Sequence, residues 1–385
     1  VGKGANSVAG NTVLGESALD GSVTGGNNVA IGLEALTNAT SANNTVAVGR
    51  YALRAVTTGI SNVAVGLNAL ENVITGSYNV AVGQQALSQN TSSSNTAVGT
   101  YALMLNTTGS NNAAFGKSAL TAITTGGNCV AVGSETLDAN TTGANNTAVG
   151  RSALGGNTTA SNNTAVGYYA LYQNTTGTTN NAFGRGALGA VTTADSNSAF
   201  GDYALQANTA AANSAFGYRA LYTNTTGVNL VAVGKNALYA NTTGSSNTAI
   251  GMQSLDANTT GGNNSAVGND SLSANTTGDN NTAFGSDSLG NSSTGNRNTA
   301  VGKGALLTNT TGSDNTAFGF AALDAQSTTS DNSAFGAYAL TKNTTGVRNS
   351  GLGRATLEEN TTGSDNTAVG HYALLSNTTG TRNSS

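Results

Sequence analysis

The chain has 385 residues, of which only 8% are charged, and its 14 basic and 18 acidic residues give a net charge of -4. That balance provides no basic stripe to attract nucleic acid or an anionic membrane. The chain has 52 glycines and no proline or tryptophan, yet 37% of its residues are hydrophobic. This composition indicates a repetitive chain with enough apolar residues for a core, rather than a disordered chain or a mixed globular domain.

Residues 1–10 follow no clear pattern and are interpreted as an irregular first coil or a junction. From Asn11 onward, 22 glycines from Gly15 to Gly370 recur every 17 residues, apart from two 16-residue steps. The unit reads N-T-A-V-G-x-x-A-L-x-x-N-T-T-G-x-x, and its positions are numbered one to seventeen below. We therefore predict one continuous repeat array over residues 1–385. Without an atypical capping repeat, we expect either part of a longer array or subunits stacked head to tail.

Within each unit, positions one to five predict a strand that ends at a bend glycine, since β-branched residues alternate there with smaller ones. A short second strand is predicted around the Ala-Leu pair at positions eight and nine. The N-T-T-G segment has the chemistry of a turn, and both short units lack a residue just after it. The predicted fold is an all-β parallel β-solenoid of about 22 coils with 17 residues per coil.

Stacked coils would place identical residues above one another, so positions four and nine are expected to form apolar columns in the core. Position five is glycine and position nine is leucine in all 22 units. The predicted core columns include Val48, Leu53, Val149, Leu154, Phe200, Leu205, Val301, Leu306, Val369 and Leu374. The predicted bend glycines include Gly49, Gly150, Gly201, Gly302 and Gly370.

Position one is asparagine in 19 units, which predicts a column of amides hydrogen-bonded from coil to coil. Representative members are Asn146, Asn163, Asn281, Asn298 and Asn366. Cys129 replaces asparagine in this column and is interpreted as a tolerated substitution rather than a reactive thiol.

Position three is alanine in 20 units. If positions two and four face the core, this alanine faces outward, where larger residues would be accepted. We therefore expect it to lie against another surface: a neighbouring protomer, which we prefer, or the opposing strand of a very flat coil. The candidate interface alanines include Ala148, Ala165, Ala283, Ala300 and Ala368.

The segments Asn28-Val29-Ala30-Ile31-Gly32 and Asn264-Ser265-Ala266-Val267-Gly268 resemble the head repeats of YadA-like trimeric autotransporter adhesins and similar repeats in phage tail fibres. The resemblance implies a left-handed β-roll that assembles as a homotrimer and binds host matrix or other surfaces. This chain differs in its longer unit, which contains the N-T-T-G turn. We also expect no neck, stalk or anchor segment within residues 1–385.

Catalytic chemistry finds little support in the sequence. His371 is the only histidine and lies at a variable position, and no catalytic triad, paired catalytic carboxylates or metal-spaced cluster can be assembled. We therefore expect neither an enzyme nor a cofactor. Acidic turn residues that could suggest calcium are interpreted as solvated; they are Asp195, Asp279, Asp314, Asp331 and Asp365.

Tyrosines concentrate at positions six and seven and are candidate contacts for glycans or protein surfaces, with ordinary loop residues as the alternative. They include Tyr101, Tyr168, Tyr169, Tyr203 and Tyr218. The N-T-T segments match the N-glycosylation acceptor, with a plain turn as the preferred interpretation. The possible acceptors include Asn106, Asn174, Asn224, Asn309, Asn343 and Asn377.

Taken together, the sequence favours an extracellular structural fibre or adhesin shaft, displayed on a cell surface or as a virion appendage. The alternative is a module that binds carbohydrate or another surface. Ice binding is disfavoured because adjacent threonines point in opposite directions along a strand. Expected partners are further copies of the chain, in a trimer or filament, and glycans or host surfaces. No nucleic acid and no membrane insertion are expected, since the chain contains no apolar run long enough to span a bilayer.

Overall fold

The computed structural model describes residues 2–385 and is all-β, with 22 strands of three residues each. The chain divides into two compact units, one ending at Asp195 and one beginning at Ser196. These two parts of the chain are called the first unit and the second unit, and the 17-residue repeat is called a coil. The first contains β1 Thr12–Leu14, β2 Val29–Ile31, β3 Val46–Val48, β4 Val63–Val65, β5 Val80–Val82, β6 Thr96–Val98, β7 Ala113–Phe115, β8 Val130–Val132, β9 Thr147–Val149, β10 Thr164–Val166 and β11 Asn181–Phe183. The second contains β12 Ser198–Phe200, β13 Ser214–Phe216, β14 Val231–Val233, β15 Thr248–Ile250, β16 Ser265–Val267, β17 Thr282–Phe284, β18 Thr299–Val301, β19 Thr316–Phe318, β20 Ser333–Phe335, β21 Ser350–Leu352 and β22 Thr367–Val369.

Within each unit, every strand pairs in parallel with the strand of the next coil, position on position. Ala148 lies opposite Ala165 in the first unit, and Ala283 lies opposite Ala300 in the second. The 16-residue steps keep this register, as β5 and β6 pair with Ala81 opposite Ala97. The turn therefore absorbs the missing residue, and the predicted parallel β-solenoid with about 17 residues per coil is confirmed.

The segment before the first strand has its own local structure. Ala5–Ser7 form a short 3-10 turn, and Gly2 makes an antiparallel bridge with Val13. Both backbone N–H···O distances of that bridge are 2.9 Å. This segment therefore contacts the first coil through an antiparallel bridge, whereas the coils pair with one another in parallel.

The predicted second strand is wrong, because the segment around positions eight and nine forms a turn in every coil. All 22 position-nine leucines adopt the left-handed region, as at Leu53 with φ of 52°. Position seven is also left-handed in every coil, as at Tyr51 with φ of 62°. The turns still stack, since the Leu36 N–H donates to the Ala52 carbonyl at 3.0 Å. Coil-to-coil bonding therefore continues outside the strands.

The bend glycines form a column that excludes side chains. Gly49 has φ of +132°, and a Cβ built on it would lie 2.5 Å from the carbonyl oxygen of Gly66 in the next coil. Any other residue would therefore clash with backbone as well as adopt an unfavourable conformation. The predicted role of position five in the bend is confirmed.

The side chains that face the core differ from the prediction in one respect. The position-nine leucines Leu53, Leu154, Leu205 and Leu306 are fully buried, as predicted, and Leu374 near the end of the chain is half-buried. Position three, expected to face outward, faces the core instead. The alanines proposed for an interface, Ala148, Ala165, Ala283, Ala300 and Ala368, are at most 1% exposed within a single chain.

Position four correspondingly points outward. Its predicted core members Val48, Val149 and Val301 are only half-buried, while Phe200 and Val369 are exposed. Their assignment to the core was therefore wrong. The alternation along the strand was right, but its two faces were exchanged.

The close approach of the two sides of the coil explains this exchange. In the coil of β21, Gly351 replaces the alanine at position three, and Thr356 replaces the alanine at position eight. A Cβ built on Gly351 would lie 2.7 Å from the Thr356 hydroxyl oxygen. Positions three and eight therefore face each other inside the coil, where the space between them accepts only small side chains, as with Ala131 and Thr136 in the coil of β8. Alanine is required there by its own coil rather than by a second protomer.

The predicted asparagine column at position one is confirmed, with the backbone as its main partner. The Asn163 N–H donates to the Asn146 Oδ1 at 3.0 Å, and the Asn163 Nδ2 donates to the Gly177 carbonyl at 2.9 Å. Asn298 repeats the first of these bonds with Asn281, and Asn366 repeats it with Asn349. Each buried amide thus joins one coil to the next and also bridges its own coil, which satisfies polar groups that burial would otherwise leave unpaired.

A second amide column lies at position twelve, inside the turn. The Asn241 Nδ2 donates to the Asn224 Oδ1 at 2.8 Å and to the Gly244 carbonyl at 3.0 Å. Where this column meets another residue type, an acceptor loses its donor. The Oδ1 atoms of Asn106, Asn174, Asn275 and Asn309 lack a hydrogen-bond partner in the described part of the chain. The next position-twelve residues along the chain are Ile123, Val191, Ser292 and Gln326.

Candidate functional site: the sheet face and the tyrosine strip

The outward side chains of positions two and four form an exposed surface in each unit, called the sheet face below. Position two is mostly Thr, Ser or Val, and position four is always Val, Ile, Leu or Phe. Phe284 is 57% exposed and Val369 is 59% exposed. The other exposed position-four residues of the second unit are Phe200, Phe216, Val233, Ile250, Phe318, Phe335 and Leu352. Each coil therefore adds one large apolar side chain to a column that faces solvent.

The sheet face of the second unit is ordered by aromatic stacking and contains a shallow hollow. The rings of Phe200 and Phe216 stack with centroids 4.9 Å apart and planes inclined by 6°. Near the last strands, a cavity of about 320 Å³ centres on Leu352 and is walled by Phe335 and Val369. The sheet face therefore has projecting apolar side chains and a hollow at position four, beside the small hydroxyl side chains of position two.

A second surface, called the tyrosine strip below, runs along positions six, seven and ten. Tyr168 and Tyr169 have ring centroids 4.1 Å apart, and Tyr169 meets Tyr172 edge-on at 4.7 Å. Of the tyrosines singled out from the sequence, Tyr168 and Tyr218 are exposed, while Tyr101, Tyr169 and Tyr203 are half-buried. These residues are dispersed over several coils rather than gathered into one patch.

Position ten carries tyrosines that the sequence argument missed. Tyr222 and Tyr239 stack with centroids 5.3 Å apart and planes inclined by 4°. The Arg219 guanidinium lies 5.0 Å from the Tyr218 ring centroid and 5.4 Å from that of Tyr222. The 17-residue spacing between Tyr222 and Tyr239 could have predicted this contact, because residues at the same position of successive coils stack directly.

The possible glycosylation sites lie inside the coil. Asn106, Asn174, Asn224, Asn309 and Asn343 are fully buried, and Asn377 is half-buried. Their Nδ2 atoms donate to backbone carbonyls, as from Asn174 to Gly177 at 2.9 Å. Attachment of a glycan would consume this donor and require the turn to open, so the folded coil disfavours the glycosylation interpretation.

The threonines that follow these asparagines also bond to the next coil. The Thr107 hydroxyl donates to the Thr124 carbonyl at 2.9 Å, and the Thr175 hydroxyl donates to the Thr192 carbonyl at 3.0 Å. These hydroxyl protons therefore stabilise the stack. An array of free hydroxyls of the kind used to order ice would need those donors to face solvent.

Two of the acidic turn residues at position seventeen, Asp314 and Asp365, pair with arginines of adjacent coils. The Arg297 Nε lies 2.7 Å from an Asp314 carboxylate oxygen, and Arg348 makes the same contact with Asp365. The hydrogen bonds from Arg297 and Arg348 lower the pKa of Asp314 and of Asp365. Asp195 and Asp279 occupy position sixteen, where Asp279 accepts the Gly262 N–H at 2.6 Å. Within residues 2–385, no three His, Cys, Asp or Glu side chains are grouped to hold a metal ion.

The two residues with potential reactivity have ordinary surroundings. His371 is exposed, with its Nε2 3.3 Å from an Arg354 nitrogen and its ring centroid 3.9 Å from that of Tyr372. Cys129 is fully buried, and burial raises the pKa of its thiol. Its backbone N–H still donates to the Asn112 Oδ1 at 3.0 Å, so it keeps the main-chain bond of the asparagine it replaces.

No protein-family model matches the chain, and no curated protein matches it. Among the described residues, no helix has the length and apolar character needed to cross a bilayer. Function must therefore be argued from the surfaces themselves.

Proposed function

We propose that this protein is a non-enzymatic structural fibre, displayed outside the cell or on a virion, whose copies associate side by side through the sheet face. A homotrimer is the arrangement we propose, following the resemblance to trimeric adhesin heads. The supporting observation is the outward-facing column of Val, Ile, Leu and Phe at position four in each compact unit, most of whose members in the second unit are exposed.

The area of this column supports association. Soluble monomers rarely expose contiguous apolar patches beyond a few hundred Å². At about 150–200 Å² for each large apolar side chain, the exposed fractions in the second unit leave roughly 700 Å² of apolar surface. A standard protein–protein interface buries about 800 Å² on each partner. The exposed position-four side chains alone thus approach the area of a standard interface, and the side chains of position two would add to it.

The position of the column also supports association between identical chains. Because coils repeat every 17 residues, the large side chains recur at a strand spacing of about 4.8 Å. A second copy presents the same spacing, so side chains of one chain can pack between those of another along each compact unit. A globular partner would match this period over only a few coils.

The test is the mass of the protein in solution, measured by light scattering. We expect the natural chain to be an oligomer and the double variant Phe284→Ser, Phe318→Ser to shift towards monomer. Both side chains are more than half exposed in the single chain, so the coils should keep their β-sheet circular dichroism.

Phe320→Ser is the matched control. Phe320 is 47% exposed at position six, outside the sheet face, so this change removes the same side chain without altering the proposed contact. A natural chain that is monomeric at micromolar concentration contradicts the proposal. An oligomer that the sheet-face variant leaves intact contradicts the assigned surface.

A second candidate function is recognition of a glycan or another surface by the tyrosine strip. The observation that favours it is the aromatic cluster of Tyr168, Tyr169 and Tyr172, in which Tyr168 and Tyr172 are exposed. A glycan array probed with the natural chain and with Tyr168→Ser would test it. Binding that the variant loses with its fold intact supports this function, whereas no binding to any glycan excludes glycan recognition.

A further inference from the structure

A notch lies in the coil of β9, next to the coil that carries Tyr168, Tyr169 and Tyr172. This coil carries Gly155 and Gly156 at positions ten and eleven, where the adjacent coils carry Asp138 and Ala139 on one side and Tyr172 and Gln173 on the other. The missing side chains open a cavity of about 390 Å³. Its lining consists of Glu135, Asp138, Ala139, Ser152, Gly155, Gly156 and Tyr172.

The wall on the side of Asp138 is acidic. Among the described residues, no Lys or Arg nitrogen pairs with the carboxylate of Glu135 or Asp138. Burial and, to a lesser degree, the charge of Glu135 raise the pKa of Asp138. The notch therefore holds two carboxyl groups that form no ion pair with a basic side chain among the described residues.

The opposite wall is aromatic and fixed in place. A Cβ built on Gly155 would lie 3.1 Å from the Tyr172 ring, so that ring rests close to the glycine backbone. Tyr169 also contacts this ring, with centroids 4.7 Å apart in an edge-on arrangement. An aromatic ring that lines the same cavity as two unpaired carboxyl groups provides an environment that favours an organic cation.

We infer that the notch binds a protonated amine, with the ammonium group held by Glu135 and Asp138 and the adjoining carbon skeleton against Tyr172. The volume falls within the range of small-molecule sites and suits one sugar ring or one side chain. An amino sugar and a lysine side chain share this chemistry. The site does not use the sheet face and stands independently of the proposed association.

Saturation-transfer NMR on the full chain tests the inference with three probes: glucosamine, the amide of Nα-acetyl-lysine, and glucose. We expect saturable binding of one or both amines and much weaker binding of glucose. The double variant Glu135→Gln, Asp138→Asn should weaken amine binding about tenfold or more, since hydrogen bonds to charged groups contribute strongly. Gly155→Gln should reduce binding by filling the cavity.

Asp256→Asn supplies the matched control. Asp256 is also at position ten and its pKa is also raised by burial, but the next coil carries Ser273 and Ala274 in place of the two glycines. Amine binding should therefore persist in this variant. The inference is overturned if neither amine binds saturably, if glucose binds as well as glucosamine, or if the double variant binds amines like the natural chain. Binding of only one amine identifies which of the two sources the notch accepts.

Discussion

The position-twelve column has a different chemistry in the two units. In the first, Ala39, Val56 and Val73 follow one another, and all three are fully buried. In the second, five asparagines follow one another from Asn208 to Asn275, and all are buried as well. The same turn thus accepts a run of apolar side chains or a run of mutually bonded amides. The unfavourable places are the junctions where a run of amides ends, because the buried Oδ1 of Asn106 or Asn275 has no hydrogen-bond donor there.

This difference shows that the residues of the position-twelve column do not contribute to stability independently of one another. Each amide in a run donates to one neighbour and accepts from the other, so its contribution depends on what stands above and below it. Replacements within a run should therefore cost more than replacements that join two runs. Hydrogen exchange of the coil amides measures these costs locally, because a long repeat array need not unfold in one step.

The largest effect is expected for Asn241→Val in the middle of the amide run. The change removes the donor to the Asn224 Oδ1 and the acceptor of the Asn258 Nδ2, both at 2.8 Å. Leaving buried polar atoms unpaired costs about 1–3 kcal/mol each, so local opening should become easier by about 3 kcal/mol. Amide protection that stays unchanged around Asn241 would contradict the role of the ladder.

The reverse change, Val56→Asn, should cost less, about 2 kcal/mol in the same measurement. The new amide can donate to the Gly59 carbonyl, as the other position-twelve asparagines do with position fifteen. Its second N–H and its Oδ1 would still face Ala39 and Val73, which offer no partner. A stabilised coil would show that amides are favoured at this position whatever their neighbours.

A junction should respond differently, so Ile123→Asn is expected to change local stability by less than about 1 kcal/mol. The new amide would donate to the unpaired Asn106 Oδ1 and accept from Asn140, which offsets the lost burial of isoleucine. Ile123→Ala is the control and should cost about 3 kcal/mol, because it removes the same apolar contacts without adding a partner. Equal losses in the two variants would contradict the account of the junctions.

The smallest effect concerns the charges at position seventeen, which are confined to the second unit. Asp314 and Asp365 have lowered pKa values, so their stabilisation is present above the unfolded pKa of about 3.9 and is lost as pH falls through the lower folded values. Asp314→Asn should therefore lower thermal stability slightly at pH 6, and by progressively less as the pH falls below about 3.9. A difference that persists unchanged at low pH would show that the ion pair is not its cause.

The sequence was sufficient for the period, the leucine and glycine columns, and the first amide column, because identical residues at identical spacing stack directly. It misled at positions three and four, since Phe and Val usually mark a core and Ala does not. The narrow width of the coil decides that position three faces the core and position four faces outward. The only sign of this in the sequence was the near absence of larger residues at position three.

Two other features had weaker signals. N-T-T-G is typical of an exposed turn, which hid the buried amide column within it. The left-handed leucines had no signal at all, because leucine is not a residue that usually adopts that conformation. The notch depends on Gly155 and Gly156, whose effect appears only when Asp138 and Tyr172 are placed above and below them.

Stacking of 17-residue coils is tested most directly by electron–electron distances between spin labels, with Cys129→Asn removing the native thiol. Labels at Ser77 and Ser161 lie five coils apart in the first unit, and labels at Ser245 and Ser330 lie five coils apart in the second. Dilution with unlabelled chain suppresses distances between protomers. Five steps at the strand spacing predict about 24 Å for both pairs. Distances that differ widely between the pairs, or that exceed about 35 Å, would contradict the stacked coil.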